Sequence, residues 1–184
     1  MQEIMLDLEC TDNKRTAAIV SIGAIYFDIE KQTIGLPFYC EISIKGIKRQ
    51  LEAGRTLSLD TMAWWLAQSD DARNVWQKNG HKKLDIVPAL HSFSKYCELA
   101  TGSPRIWGNG SDYDNVALRD CYETFNIKAP WHTRDNRCYR TIFRLFNKAY
   151  IGLERQGVHH NGLDDAKTQA IHLMKMLKDI EVNT

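Results

Sequence analysis

Ile4-Met5-Leu6-Asp7-Leu8-Glu9, Ala18–Asp28 (AIVSIGAIYFD) and Phe38–Ile44 (FYCEISI) read as three successive strands. The first is a short apolar run that ends in acids. The second is apolar and β-branched, and the third alternates loosely after Gly35 and Pro37. Three neighbouring runs joined by short polar turns predict an antiparallel meander, because parallel strands need a long crossover. Beyond them the period turns helical. Asp60 is placed to cap a helix carrying Met62, Trp64, Trp65 and Leu66, Asp70 to cap another through Trp76, and Asp85 opens a third through Cys97. Arg105-Ile106-Trp107-Gly108 reads as a buried strand, and Asp114–Phe125 and Tyr139–Phe146 read as helices. The last helix, Leu163 to Lys178, presents Leu163, Ala166, Ala170, Leu173, Met174 and Leu177 on one apolar face. A meander followed by alternating helices and strands predicts an α/β domain with a mixed β-sheet flanked by α-helices. No break in composition divides the 184 residues, so one domain over 1–184 is expected.

Composition narrows the classes. With 24 Lys and Arg against 23 Asp and Glu, the chain carries no overall basic coat, and a nucleic-acid partner must be held by a local patch. A candidate lies between 128 and 155, where Lys128, Arg134, Arg137, Arg140, Arg144, Lys148 and Arg155 stand against only Asp135 and Glu154, with a solvated helix face nearly as good a reading of Arg140, Arg144 and Lys148. The five cysteines are far apart and include no C-x-x-C pair, which predicts reduced thiols and a cytoplasmic protein. The acidic start is unlike a signal peptide, and no apolar run approaches the roughly 20 residues that span a bilayer, so no membrane partner is expected.

Three acidic clusters carry the chemistry. Asp7 and Glu9 end the first strand two residues apart, so both side chains project from one face, where they repel unless a cation or water relieves them. On its own this pair is better read as a solvated strand end. The second cluster, Gly108-Asn109-Gly110-Ser111-Asp112-Tyr113-Asp114-Asn115, lies between a strand and a helix, where open α/β sheets place ligands. Asp112 and Asp114 both remain candidates there. The third, His159-His160-Asn161-Gly162-Leu163-Asp164-Asp165, leads into the last helix, which fixes a carboxylate while the loop lets an imidazole approach a reacting water.

Taken together, the order and setting of these clusters resemble the DEDDh exonucleases of the ribonuclease-H-like superfamily. The matching motifs are D-x-E at Asp7 and Glu9, a middle Asp114 with Leu118 four residues on, and H-x-x-x-x-D at His160 and Asp165. The frame of His159 with Asp164 is the alternative. Ser21-Ile22-Gly23-Ala24, the stretch from Trp107 to Asn115, and Arg137-Cys138-Tyr139-Arg140-Thr141 look most like the small phage and bacterial group that includes T-even phage exodeoxyribonuclease A and mycobacterial ribonuclease AS. Cys10 departs from the pattern, since many relatives place Thr directly after the first Glu, and here Thr11 follows one residue later.

The resemblance implies a metal-dependent 3′–5′ exonuclease releasing nucleoside monophosphates from the 3′ end of single-stranded DNA or RNA, with DNA favoured. It implies two divalent cations, Mg²⁺ or Mn²⁺, on Asp7, Glu9, Asp114 and Asp165, and oxygen donors suit such hard ions. It makes His160 the base for the attacking water, active when neutral, with an ordinary pKa near ~6.5. Trp64, Trp65, Trp107 and Tyr113 are candidate base-stacking residues, with core packing the default reading of the tryptophans, and a homodimer using Trp64 and Trp65 is a further expectation. Two other classes compete. A catalytically silent nucleic-acid-binding domain has little reason to hold all five chemical residues. An HD-type phosphohydrolase built on His159, His160, Asp164 and Asp165 leaves Asp7 and Glu9 unexplained and lacks an adjacent His-Asp doublet.

Overall fold

The computed structural model describes residues 2–77, 83–110, 112–146 and 154–183, with side chains up to 178. β1 (Glu3–Cys10), β2 (Ile19–Asp28) and β3 (Thr33–Glu41) form the meander, with Asp7 opposite Gly23 and Glu9 opposite Ser21. β4 (Arg105–Gly108) pairs in parallel with β1, and β5 (Asn136–Cys138) in parallel with β4, giving the order β3-β2-β1-β4-β5. The helices are α1 (Ile44–Glu52), α2 (Leu59–Leu66), α3 (Asp70–Arg73), α4 (Ile86–Cys97), α5 (Asp114–Thr124), α6 (Tyr139–Phe146) and α7 (Gly162–Asn183). This is the mixed-sheet α/β, ribonuclease-H-like arrangement.

Strand alternation sorts β1 between two cores. Ile4, Leu6 and Leu8 face a cluster completed by Ile47, Trp65, Leu90, Phe93 and Leu118 from the helices of one side. Met5 faces the other side, where Ile25, Phe27, Trp107 and Tyr139 meet Ala166, Ala170, Leu173 and Met174 of α7. Period two therefore turns Asp7 and Glu9 toward α7 along with Met5. The apolar face expected for the last helix is the face that α7 buries.

Several elements differ from expectation. β3 begins at Thr33 because Pro37, which cannot donate to a ladder, is tolerated on an edge strand. Ile44 starts α1 instead of ending a strand, since the Ser43 side chain accepts from Gly46 N and caps the turn. Ser58 and Ser69, not Asp60 and Asp70, cap α2 and α3, with their hydroxyls accepting from Thr61 N and Ala72 N. Residues 74–76 continue α3 only as a 3₁₀ turn. β5 was too short, at three residues, to show a period. All five cysteines are free.

Candidate active site

Parallel pairing of β1 and β4 brings the C-terminal ends of both strands to one edge of the sheet, so Asp7, Glu9 and the Asn109–Asp114 loop converge. Buried Arg55 fixes the start of α5 from behind. It donates to Ala17 O at 2.6 Å and to Ala117 O at 3.2 Å, and pairs with Asp120 at 2.9 Å.

The third element arrives through a glycine contact. A β-carbon on Gly23 would stand 2.1 Å from the carbonyl carbon of Gly162 and 2.3 Å from Leu163 N, and one on Gly162 would stand 2.8 Å from Asp7 O. Only a pair of glycines allows the first turn of α7 to rest directly on β1 and β2. Asp165, one turn further on, is thereby set beside the strand acids, and one oxygen each of Asp7, Glu9 and Asp165 lie within 4.8 Å of one another.

These residues line an open cavity of about 620 Å³ together with Asp114, His160, Arg140, Arg144, Arg155 and Gln169. Asp114 is buried, accepting from Leu8 N at 3.2 Å and Asn109 N at 2.8 Å. Asp112 is exposed and lines a neighbouring cavity instead. Asp164 accepts from Val158 N at 2.9 Å and pairs with Lys167 in the loop, and of the alternative frame the described lining of the cavity includes His159 but not Asp164. His160 sits at φ +63°, a left-handed conformation unusual for a side-chain-bearing residue, with its N–H donating to Asp165 Oδ2 at 3.1 Å. Its ring stacks on His159 at 3.7 Å and meets the Trp64 ring edge-on at 4.7 Å. A second candidate ligand set, His159, His160 and Asp165, shares the same Asp165.

The electrostatics follow from crowding. Burial, then the charge of Asp114, pushes Asp7 well above the usual carboxylate range, while a 2.7 Å hydrogen bond from Gln169 and the nearby Arg155 oppose this. Burial and the charges of Asp7 and Asp114 push Glu9 up likewise. Burial raises Asp114 to about 6 against the two backbone N–H groups that favour its charged form. His160 is lowered to about 4, by burial first and then by His159 and Arg155. Hard oxygen donors that oppose one another's ionisation suit a divalent cation, whose charge reverses that balance.

Other expected residues are placed elsewhere. Trp107 is core, its Nε1 donating to Glu3 Oε2 at 2.6 Å. Trp65 is 2% exposed and donates to Cys10 O at 3.0 Å, so of the tryptophan pair only Trp64 offers surface for stacking or for a dimer contact. Thr11 is buried, and its hydroxyl is used on Thr56 O at 2.8 Å. Tyr113 lines the cavity and donates to Asp12 O at 2.7 Å. Of the basic patch, Arg140, Arg144 and Arg155 reach the cavity, whereas Lys148 lies outside the described residues. Arg155 hydrogen-bonds Asp165 as an ion pair. Gln169 carried no expectation, although its place four residues after Asp165 puts it on the same helix face.

The family model described as "3′-5′ exoribonuclease Rv2179c-like domain" matches residues 2–177. No curated protein sequence matches the chain. Among solved structures, the nuclease domain of 3′hExo, a DEDDh family member bound to rAMP, is 18% identical with a TM-score of 0.58, covering 96% of this chain and 92% of that one. Exonuclease X in complex with 5′ overhanging duplex DNA is 15% identical with a TM-score of 0.59, covering 96% and 92%. The E. coli exonuclease I complex with single-stranded DNA is 13% identical with a TM-score of 0.58, covering 99% of this chain and 40% of that one. At these identities the likeness is one of fold. No helix among the described residues is long and apolar enough to cross a membrane.

Proposed function

The chain belongs to the Rv2179c-like family of DEDDh-type 3′–5′ exonuclease domains, and from that premise we propose that it is a metal-dependent hydrolase removing nucleoside monophosphates from the 3′ end of single-stranded nucleic acid. The observation that carries this reading is the meeting of Asp7, Glu9 and Asp165 within 4.8 Å, in a cavity that Asp114 and His160 also line. Asp7, Glu9, Asp114 and Asp165 are assigned to hold two Mg²⁺ or Mn²⁺ ions. When bound, such ions stabilise charge on the attacking and leaving oxygens of the phosphodiester.

The chain's own groups complete the reaction. Gln169 fixes Asp7 through Oδ1, and the backbone donors of Leu8 and Asn109 fix both oxygens of Asp114. His160, neutral above about pH 4, is free to accept a proton from the attacking water at a ring nitrogen. An anionic phosphodiester beside it favours the imidazolium and so strengthens it as a base at the moment of reaction. The terminal nucleoside is assigned to the adjoining cavity of about 390 Å³, which Glu9, Trp64 and Tyr113 border. Stacking on Trp64 would contribute about 1–3 kcal/mol.

The family description names exoribonuclease activity, so RNA takes first place as substrate. DNA, favoured on the sequence motifs, is the second reading, and the DNA complexes of exonucleases X and I with this fold support it. Matched 5′-labelled RNA and DNA oligonucleotides test both. Stepwise shortening from the 3′ end with Mg²⁺ or Mn²⁺, abolished by EDTA and by Asp165→Asn, is expected. Full activity in excess EDTA, or internal cuts without shortening, would overturn the assignment.

A further inference from the structure

The cavity that holds the acids is electrically one-sided. On the α2 side it adjoins a pocket bordered by Glu9, Asp12 and Asp60, with no lysine or arginine among its described lining residues and with Lys14 4.0 Å from Asp12. On the α6 side it adjoins a cavity of about 320 Å³ bordered by Gly110, Asp112, Thr141 and Leu145, and Arg140 and Arg144 line both it and the acid-bearing cavity. The two arginines are four residues apart, one helical turn, which separates them along the axis by about 6 Å. Tyr139, Ile142 and Phe143 pack α6 against the α7 side of the sheet and thereby fix which face looks outward. Both arginines are exposed, and among the described residues neither forms an ion pair. Arg140 makes one long hydrogen bond, 3.4 Å to Asn109 Oδ1. Among the described residues Asp112 is the one carboxylate bordering this outer groove.

Two exposed guanidiniums without ion-pair partners among the described residues, one turn apart on one helix face and both lining the acid-bearing cavity, where the charge of Arg140 also favours ionised Asp114, suit successive phosphates of an extended strand. A nucleoside is neutral and fits the acidic side, whereas a run of phosphates is excluded from it. We propose that Arg140 and Arg144 form a two-phosphate track that carries a single strand to the site and binds the two phosphates immediately upstream of the scissile one. This inference rests on the exonuclease reading and adds to it the direction of entry and the length of strand engaged.

The track is tested by kcat/KM for labelled oligonucleotides from dinucleotide to decanucleotide, with wild type, Arg140→Gln, Arg144→Gln and the double variant. For wild type, kcat/KM is expected to rise from dinucleotide to tetranucleotide, where both phosphates are present, and then to level off. In the double variant the ratio of tetranucleotide to dinucleotide kcat/KM falls towards one. Each phosphate contact on a single strand contributes about −0.7 to the slope of log affinity against log salt, so removing two flattens the slope by about 1.4. Between about 50 and 200 mM KCl the wild type should therefore lose roughly sevenfold more kcat/KM on the decanucleotide than the double variant does. The Lys double variant, which keeps the charge, should restore the slope, and Asp112→Asn should raise kcat/KM on long substrates only. An unchanged slope and length profile in the double Gln variant would overturn the track while leaving the exonuclease reading intact. Failure of the wild type to hydrolyse any oligonucleotide, the dinucleotide included, would instead remove the reading on which the track rests.

Discussion

Gly23→Ala adds one methyl group in the strand opposite Asp7, where it is costly for function. The new carbon would stand 2.1 Å from the carbonyl carbon of Gly162 and 2.3 Å from Leu163 N, both backbone atoms. Ordinary carbon contacts lie near 3.5–4.0 Å, so the start of α7 and the strand must separate by more than about 1 Å. Overpacking of this kind costs about 1–3 kcal/mol, or roughly 2–12 °C of Tm in a domain of this size. The larger effect is on Asp165, which rides on the displaced turn and must stay within 4.8 Å of Asp7 and Glu9. A misplacement of about 1 Å at a reacting centre can reduce the rate about 10²-fold. Exonuclease rates measured well below the melting transition, with Mn²⁺ binding followed by calorimetry, should show both the rate and the affinity falling in a folded protein. Gly54→Ala is the control, since Gly54 has positive φ and nothing within 4 Å of an added carbon, so strain without displacement should lower Tm and spare the rate. A Gly23→Ala variant with wild-type Tm, metal affinity and rate would refute the glycine contact as the device that sets Asp165.

Asp114→Asn should be far more damaging than Asp112→Asn, and comparable mild effects in steady-state assays would remove Asp114 from the ligand set. The same variant carries a pH signature in EDTA. Folded Asp114 keeps its proton up to about pH 6, whereas the unfolded chain releases it near the ordinary 3.8, so wild type should lose stability relative to Asp114→Asn as pH rises between those values. Melting curves across that window check the sign, and a difference that stays constant or grows in favour of wild type contradicts it. His160→Ala should lower the rate by roughly 10²–10⁴-fold with metal binding largely kept, and His159→Ala should do much less. Because His160 is lowered to about 4, the acidic limb of the wild-type kcat/KM profile should not fall at the ordinary imidazole value near ~6.5. Trp64→Ala should raise KM by roughly 5–150-fold on any sequence, from the loss of about 1–3 kcal/mol of stacking. An unchanged KM would move the nucleoside out of that pocket.

Much of this arrangement is legible in the sequence because two periodicities are strong. Alternation in β1 places Asp7 and Glu9 on the face of Met5, and the i, i+4, i+7 stripe of α7 places Ala166, Ala170 and Leu173 against that face. What period cannot report is how near two elements come, and the site depends on nearness. Gly23 and Gly162 are 139 residues apart and each reads locally as a small residue of no particular duty; only their contact shows why neither can carry a side chain. The caps are illegible for a related reason: Ser58 and Asp60 are both good capping residues, and the choice between them depends on where the preceding chain turns. Charge was the least legible property. Seven basic residues between 128 and 155 look alike in sequence, yet packing sends Arg137 to the carbonyls of Arg134 and Asn136, binds Arg155 to Asp165, and leaves Arg140 and Arg144 on an outward face without ion pairs among the described residues. The same packing of Tyr139, Ile142 and Phe143 that seats α6 on the sheet therefore decides which of those cations remain available to a phosphate, and the stability of the helix and its capacity to guide a substrate have one physical origin.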